Sequence, residues 1–295
     1  MHPAPSVIVF SVLSGLGFGL LAMLGLGITT PAGLGAIPAW GLGLLLAVIG
    51  LLASTFHLGN PQRALLAFTQ WRTSWLSREA WISVAALGLS ALTGFMAVGG
   101  SRPGLPGLLA AVLCLGTVFS TSMIYAQLRT VPRWNHWTTP AQFLAFAVAG
   151  GLVLAPSKFP AIIALVVLAA LLLYGFARGD GRFAALGQTP GTATGLGTIG
   201  DVRSFAPPHT GPNYLTREMI HVVGRRHSRR LRVIAVLCAA VLPALILLVL
   251  PVGLAAAIPA ASVHLIGAFA QRWLFFAEAE HVVGLYYGAP GGLRP

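Results

Sequence analysis

The chain has 295 residues, 56% of them hydrophobic and 8% charged, with a mean hydropathy of +0.83. A water-soluble domain carries about 25% charged residues, so this composition excludes one and requires lipid contact. The net charge of +12 does not mark a nucleic-acid binder, because the basic residues fall between apolar runs, where positive charge orients helices in a membrane.

Apolar runs bounded by Pro, Gly or charge predict eight spans, roughly 6–28, 36–58, 79–99, 106–129, 139–156, 159–177, 232–254 and 258–280. Inside a bilayer the backbone must satisfy its own hydrogen bonds, so each span is a helix. The expected architecture is an all-α integral membrane protein, an eight-helix bundle forming one domain over residues 1–295. The first apolar run, "MHPAPSVIVFSVLSGLGFGLLAMLGLG", lacks the basic start of a signal peptide and is too long for one, so it reads as a retained span. Small residues such as Gly15, Gly19 and Gly41 favour close helix approach. Cys114 and Cys238 lie within apolar runs and read as core residues, with no spacing for a disulfide or a cluster.

Eight spans place both termini on one face with connections 2–3, 4–5 and 6–7. That face collects 15 of the 18 Lys and Arg residues, against Arg102 and Lys158 opposite and Arg272 within or near the end of span 8. Excess Lys/Arg marks the cytoplasmic side, so the termini and decorated loops are expected there. The cytoplasmic connection at about 178–231 is long enough to be functional or disordered. From Tyr214 it carries Leu215, Met219, Val222 and Val223 at helical spacing, then a basic cluster. Two compatible readings are a surface helix on anionic lipid and a docking platform for a cytoplasmic subunit. "GLGTIG" (Gly195 to Gly200) matches G-x-G-x-x-G literally, but it neither follows a strand nor opens a helix, so it does not predict a nucleotide site.

The richest polar segment is "STFHLGNPQRALLAFTQWRTSWLSREAWISV", residues 54–84. His57 ends span 2, Asn60–Pro61 resembles an N-cap followed by proline, and "QRALLAFTQW" reads as a short amphipathic interfacial helix. Ser77 is placed to cap span 3, with Arg78 and Glu79 in its first turn. His57 and Glu79 then lie at similar depth on neighbouring helices, while Trp71, Trp75 and Trp81 suit the lipid–water boundary. A structural reading is available: Glu79 complements a helix N-terminus and the arginines orient the hairpin. Against it, ionisable groups at the hydrocarbon edge are costly and functional as a rule. A His beside a carboxylate also suits proton-coupled quinone chemistry.

These blocks carry a resemblance. "FHLGNPQRALLAF…WRTSWLSREAW", "MIYAQLRTVPRWNHWTTPAQF", "NYLTREM…RRHSRRLR" and "QRWLFFAEAEHVVGLYYG" resemble, in order along the chain, the anchor subunits of dimethyl sulfoxide reductase-type molybdoenzymes (the DmsC family). The resemblance implies a haem-free, eight-helix anchor that binds quinone, menaquinone or ubiquinone, and holds a four-cluster iron–sulfur subunit and a molybdopterin catalytic subunit. It assigns His57 and Glu79 to the quinone site and places the first arginine-rich loop beside the iron–sulfur subunit. Arg78 and Tyr125 complete the expected quinone-binding set. Arg63, Arg72 and Glu280 are expected on a proton path or in a supporting shell, and Arg63, Arg72, Arg217, Arg225 and Arg226 in partner docking. The best-known family members carry few basic residues in the corresponding loops, which face the periplasm. The arginine-rich loops here look more like the branch anchoring cytoplasmic sulfite-oxidising complexes (the SoeABC type), with an anchor for S-oxide or N-oxide reduction as the alternative. The inner membrane is the expected location, with membrane lipid as a further partner and no nucleic acid.

Other polar residues have structural as well as functional readings. Tyr125 suits either an interfacial tyrosine or a hydroxyl donor to a quinone oxygen, and Trp134 and His136 occupy the next loop. In span 8, Arg272 is expected to pair with Glu278, with Glu280 and His281 nearby. A haem b carrier would need two histidines at one level, and His264 lacks a level partner for His57 or His281. A transporter would show interrupted helices and midplane polar sites, whereas the polar residues here gather at one face.

Overall fold

The fold is known from a computed structural model, which describes residues 4–58, 60–203, 205–206, 210–211, 213, 215 and 227–287. Among these residues every regular element is helical. Seven helical segments are long and apolar enough to cross a membrane: α1 (Pro5–Gly25), α2 (Ala36–Ala53, within the segment Gly33–Phe56), α3 (Trp75–Val98), α4 (Gly104–Ala126), α6 (Lys158–Gly179), α7 (Ser228–Val249) and α8 (Leu254–Ala277, within Leu254–Tyr286). The fifth expected span appears as α5 (Thr138–Leu154), an apolar helix of 17 residues.

The sequence is hydrophobic around nearly every helix, so burial is decided by packing rather than by an amphipathic stripe. Helix α1 is the hub and packs against α2, α4, α5 and α8, with Phe18, Leu20, Leu21 and Leu24 almost fully enclosed. Outer faces present Leu45, Ile49 and Leu52 on α2 and Ile163, Val166 and Val167 on α6. Apolar exposure on this scale is suited to acyl chains, not to water.

Glycines set how closely α1 approaches its neighbours. A Cβ at Gly19 would overlap the Ala147 carbonyl of α5, and one at Gly17 or Gly50 would overlap backbone across the α1–α2 interface. Gly15 and Gly41, expected to serve the same purpose, have no neighbouring atom where a Cβ would stand. The sequence cannot separate these glycines, because which face of α1 meets α5 depends on the whole bundle. Gly19→Leu is expected to separate α1 from α5 at a cost of at least ~1–3 kcal/mol, whereas Gly15→Ala is expected to be tolerated. The amount of folded protein in membranes, measured by immunoblot, checks this contrast.

Helix α7 contains a π-helical turn, Leu237–Val241, before Pro243. At this turn Ala239 lies against Gly267 of α8, and its carbonyl bonds His264 Nδ1 at 2.6 Å. Cys114 is buried beside Ser90, and Cys238 lies in the π turn.

In the long connection, the described part begins with two short helices, Arg182–Ala185 and Pro190–Thr194. Arg182 ties it to the carbonyls of Pro132 and Asn135, and the Tyr286 hydroxyl donates to the Ala193 carbonyl at 2.5 Å. "GLGTIG" follows the second of these helices, with no strand before it. The helix expected from Tyr214, and with it Arg217, Arg225 and Arg226, lies outside the described residues.

Candidate functional site

The segment joining α2 to α3 builds one wall of the site. Helix α2 tightens into a 3-10 turn, Ser54–His57, and the chain then forms a 3-10 helix, Pro61–Phe68. The second element stands where a short amphipathic helix was expected and is a tighter 3-10 helix, with Asn60 preceding Pro61 but offering no side-chain cap. His57 closes the first turn, and its side chain lies outside the described residues. Arg63 and Arg72 are exposed, as are Trp71 and Trp81, and the Trp81 indole donates to the Phe68 carbonyl at 3.0 Å.

Helix α3 begins earlier than Ser77. Its first residue is Trp75, preceded by Ser74 in an extended conformation, and the Ser77 hydroxyl accepts from the Gln70 amide instead of capping the helix. Trp75 sets this start by packing edge-on against Phe119 of α4. Arg78 and Glu79 consequently lie beyond the first turn and diverge. Arg78 is directed to the loop, donating to the carbonyls of Trp71 (3.0 Å) and Arg72 (2.6 Å) while stacking on Trp75. The Nε and Nη2 atoms of the Arg78 guanidinium are thus bonded to loop carbonyls rather than to Glu79.

Glu79 turns inward and is 4% exposed. Its carboxylate accepts a hydrogen bond from the Thr121 hydroxyl of α4, whose single hydrogen has the Thr117 carbonyl as its alternative acceptor at 3.0 Å. Among the described residues Glu79 forms no salt bridge. A carboxyl group so enclosed, with one hydroxyl partner and no cation, is poorly stabilised as an anion and is suited to exchanging a proton. Thr121 was not anticipated from the sequence. A threonine in an apolar run carries no signal until the α3–α4 packing brings it to Glu79.

Tyr125 lies one turn beyond Thr121 and is partly buried among Trp134, Phe143, Phe275 and Phe276. Phe143 and Phe275, two of these rings, also meet the Arg272 guanidinium. Trp134 is core rather than interface, donating its indole N–H to the Phe275 carbonyl at 2.9 Å. His136 bonds the Thr138 hydroxyl at 2.9 Å, and its imidazole titrates below the usual range, first through partial burial and then through Arg182 and Arg178.

The expected Arg272–Glu278 pair does not form. Glu278, at the end of α8, bonds Arg133 (2.7 Å) and Arg232 (2.7 Å), and both arginines also bond Asp180 after α6. Four charges thus join the 4–5 loop, α6, α7 and α8 at one end of the bundle. Asp180 is held below the usual carboxylate range. Its burial opposes this, but the bonds and charges of Arg232 and Arg133 prevail. Arg272 lies one and a half turns deeper, 3% exposed, with its guanidinium carbon 3.5 Å from the Phe143 ring centroid. Glu280 is half-buried just past the end of α8, and His281 meets the edge of Trp134.

The chain matches the family described as "DMSO reductase anchor subunit (DmsC)" over residues 1–173. It is similar to a sulfite dehydrogenase subunit of Allochromatium vinosum, with 34% identity over 279 residues, covering 83% of each chain. It is also similar to the anaerobic dimethyl sulfoxide reductase chain YnfH of Escherichia coli, with 35% identity over 111 residues, 36% of this chain and 39% of that one.

Proposed function

The chain belongs to the family of dimethyl sulfoxide reductase anchor subunits, and on that premise we propose that it is the quinone-binding membrane anchor of a three-subunit oxidoreductase. In this reading α5 also crosses the bilayer, making an eight-helix single domain in the inner membrane. Both termini and the arginine-rich loops face the cytoplasm, because Lys and Arg accumulate on that side. The partners are a molybdopterin subunit and an iron–sulfur subunit with four clusters, docked on the exposed Arg63 and Arg72 and on the basic residues of the long loop, Arg217, Arg225 and Arg226. Similarity to a sulfite dehydrogenase subunit over most of both chains supports sulfite oxidation. The shorter match to a dimethyl sulfoxide reductase chain supports S-oxide or N-oxide reduction as the second reading.

The observation that carries the proposal is Glu79, a buried carboxylate near the basic end of the bundle, held by Thr121 and, among the described residues, outside every salt bridge. In the sulfite-oxidising direction, two electrons arrive one at a time from the nearest iron–sulfur cluster and reduce the quinone. Two protons reach its oxygens from the cytoplasm by way of His57 and Glu79, with the Tyr125 hydroxyl as a donor to the ring and Glu280 on the entry path. Haem plays no part.

Thr121→Val keeps the shape of the side chain while removing the donor to Glu79. It is expected to lower quinone-linked turnover about tenfold, with Thr121→Ser close to normal. Assays of the intact complex with a short-chain quinone, with and without a quinone-analogue inhibitor, test this; equal rates for the two variants would remove Thr121 from the site. A fusion after Pro295 is expected to be active as a cytoplasmic reporter and inactive as a periplasmic phosphatase. Phosphatase activity there would reverse the proposed orientation.

A further inference from the structure

Arg272 is a buried charged group that neither the charge network nor the proton relay uses. It lies within α8 and is 3% exposed, yet it meets no carboxylate among the described residues. Glu278, one and a half turns along the same helix, is engaged on both oxygens by Arg133 and Arg232. The compensation available to Arg272 carries no negative charge: one bond from Nη1 to Gln271 Oε1 at 3.2 Å, and the rings of Phe143 (3.5 Å), Phe146 (5.3 Å) and Phe275 (5.9 Å). Gln271 in turn donates to Gln142, which donates to the Leu171 carbonyl, so this chain of amides orients the guanidinium without neutralising it. A guanidinium stays protonated even when buried. An uncompensated charge at such a place is expensive and needs a negative partner.

Two features point to where that partner forms. Arg272 lines a cavity of about 20 Å³ between α1, α4, α5 and α8, together with Gly15, Val118, Phe146 and His264. That volume admits about one water and no ring, so little solvent screens the cation. The guanidinium also lies against Phe143 and Phe275, and both of these rings pack on Tyr125. We propose that Arg272 is the fixed positive pole of the quinone site, stabilising the negative charge that the ring acquires with its first electron. The inference rests on the quinone reading above. The first electron, from a one-electron iron–sulfur donor, converts the quinone to its semiquinone anion. The second electron and two protons then complete the quinol. Arg272 donates no proton and makes no covalent bond; it lowers the free energy of the anionic stage. Preorganised charge of this kind is most effective where water is excluded.

A matched pair of probes isolates charge from shape. 2-Hydroxy-1,4-naphthoquinone is an anion at neutral pH, and its 2-methoxy analogue is neutral and nearly the same size. Each is titrated as an inhibitor of quinone-linked turnover by the intact complex. The anion is expected to inhibit at the lower concentration. Arg272→Gln is expected to weaken the anion by about tenfold or more, leave the methoxy probe within about twofold, and reduce kcat more than it changes KM. Arg272→Lys is expected to keep the preference for the anion. Gln271→Glu replaces the amide that accepts from Arg272 Nη1 by a carboxylate of nearly the same shape and neutralises the cation while Arg272 itself stays in place, so it is expected to reproduce the Arg272→Gln result even where that variant fails to assemble. Equal weakening of both probes, or no change with Gln271→Glu, would reduce Arg272 to a packing residue and overturn the inference. If neither probe inhibits the unaltered complex, the quinone reading itself fails.

Discussion

Glu79→Gln is expected to abolish quinone-linked turnover, with a fall of at least ~100-fold, the lower end of what a general acid–base group contributes. Glutamine matches glutamate in size and still accepts the Thr121 hydroxyl through its amide oxygen, so the α3–α4 contact survives. What it loses is the ability to exchange a proton. The complex is therefore expected to assemble normally and to oxidise substrate at full rate with an artificial acceptor that bypasses the membrane. His57→Phe is expected to give the same split and to weaken inhibition by quinone analogues. Normal quinone-linked rates in both variants would place the quinone elsewhere and leave Glu79 as a buried structural acid.

Loss of Glu278 has the largest expected effect on stability. Its two oxygens bind Arg133 and Arg232 at 2.7 Å each, and its side chain is 5% exposed. Glu278→Ala would leave two neighbouring arginines with only Asp180 between them. Removing one member of a buried charge group costs about 3–5 kcal/mol, because the remaining charges lose their compensation. Thermal unfolding of the detergent-solubilised complex is expected to shift downward by several degrees or more, with less protein accumulating in the membrane. Asp180→Asn is expected to be milder, since the Asp180 side chain is 53% exposed and water screens what remains. The folded state holds the Asp180 carboxyl below its ordinary value. Its contribution is therefore present above the unfolded-state value and is lost as pH falls through the folded one. Acid is expected to narrow the difference between the parent and Asp180→Asn. A difference that widens with acid would mean that the carboxylate is not stabilised by its arginines.

Composition alone determined that this chain lives in lipid, because 8% charged residues cannot solvate its surface. The apolar runs likewise located the helices, since a backbone without water has no other way to pair its groups. The segment 54–84 singled out His57 and Glu79 because charge is conspicuous against a background of leucine and alanine. Other features depended on tertiary structure for a physical reason: helices that are hydrophobic on every side do not announce their neighbours. Thr121 is one hydroxyl among several on α4 until packing sets it against Glu79. Arg78 and Glu79 are adjacent in sequence, yet the start of α3 at Trp75 directs one to the loop and the other to the core. Proximity along α8 likewise paired Arg272 with Glu278, but Arg133 and Arg232 approach from other elements and engage that carboxylate first. Arg272 is left as a buried cation without a carboxylate among the described residues, a property of the three-dimensional charge arrangement that no window of the sequence contains.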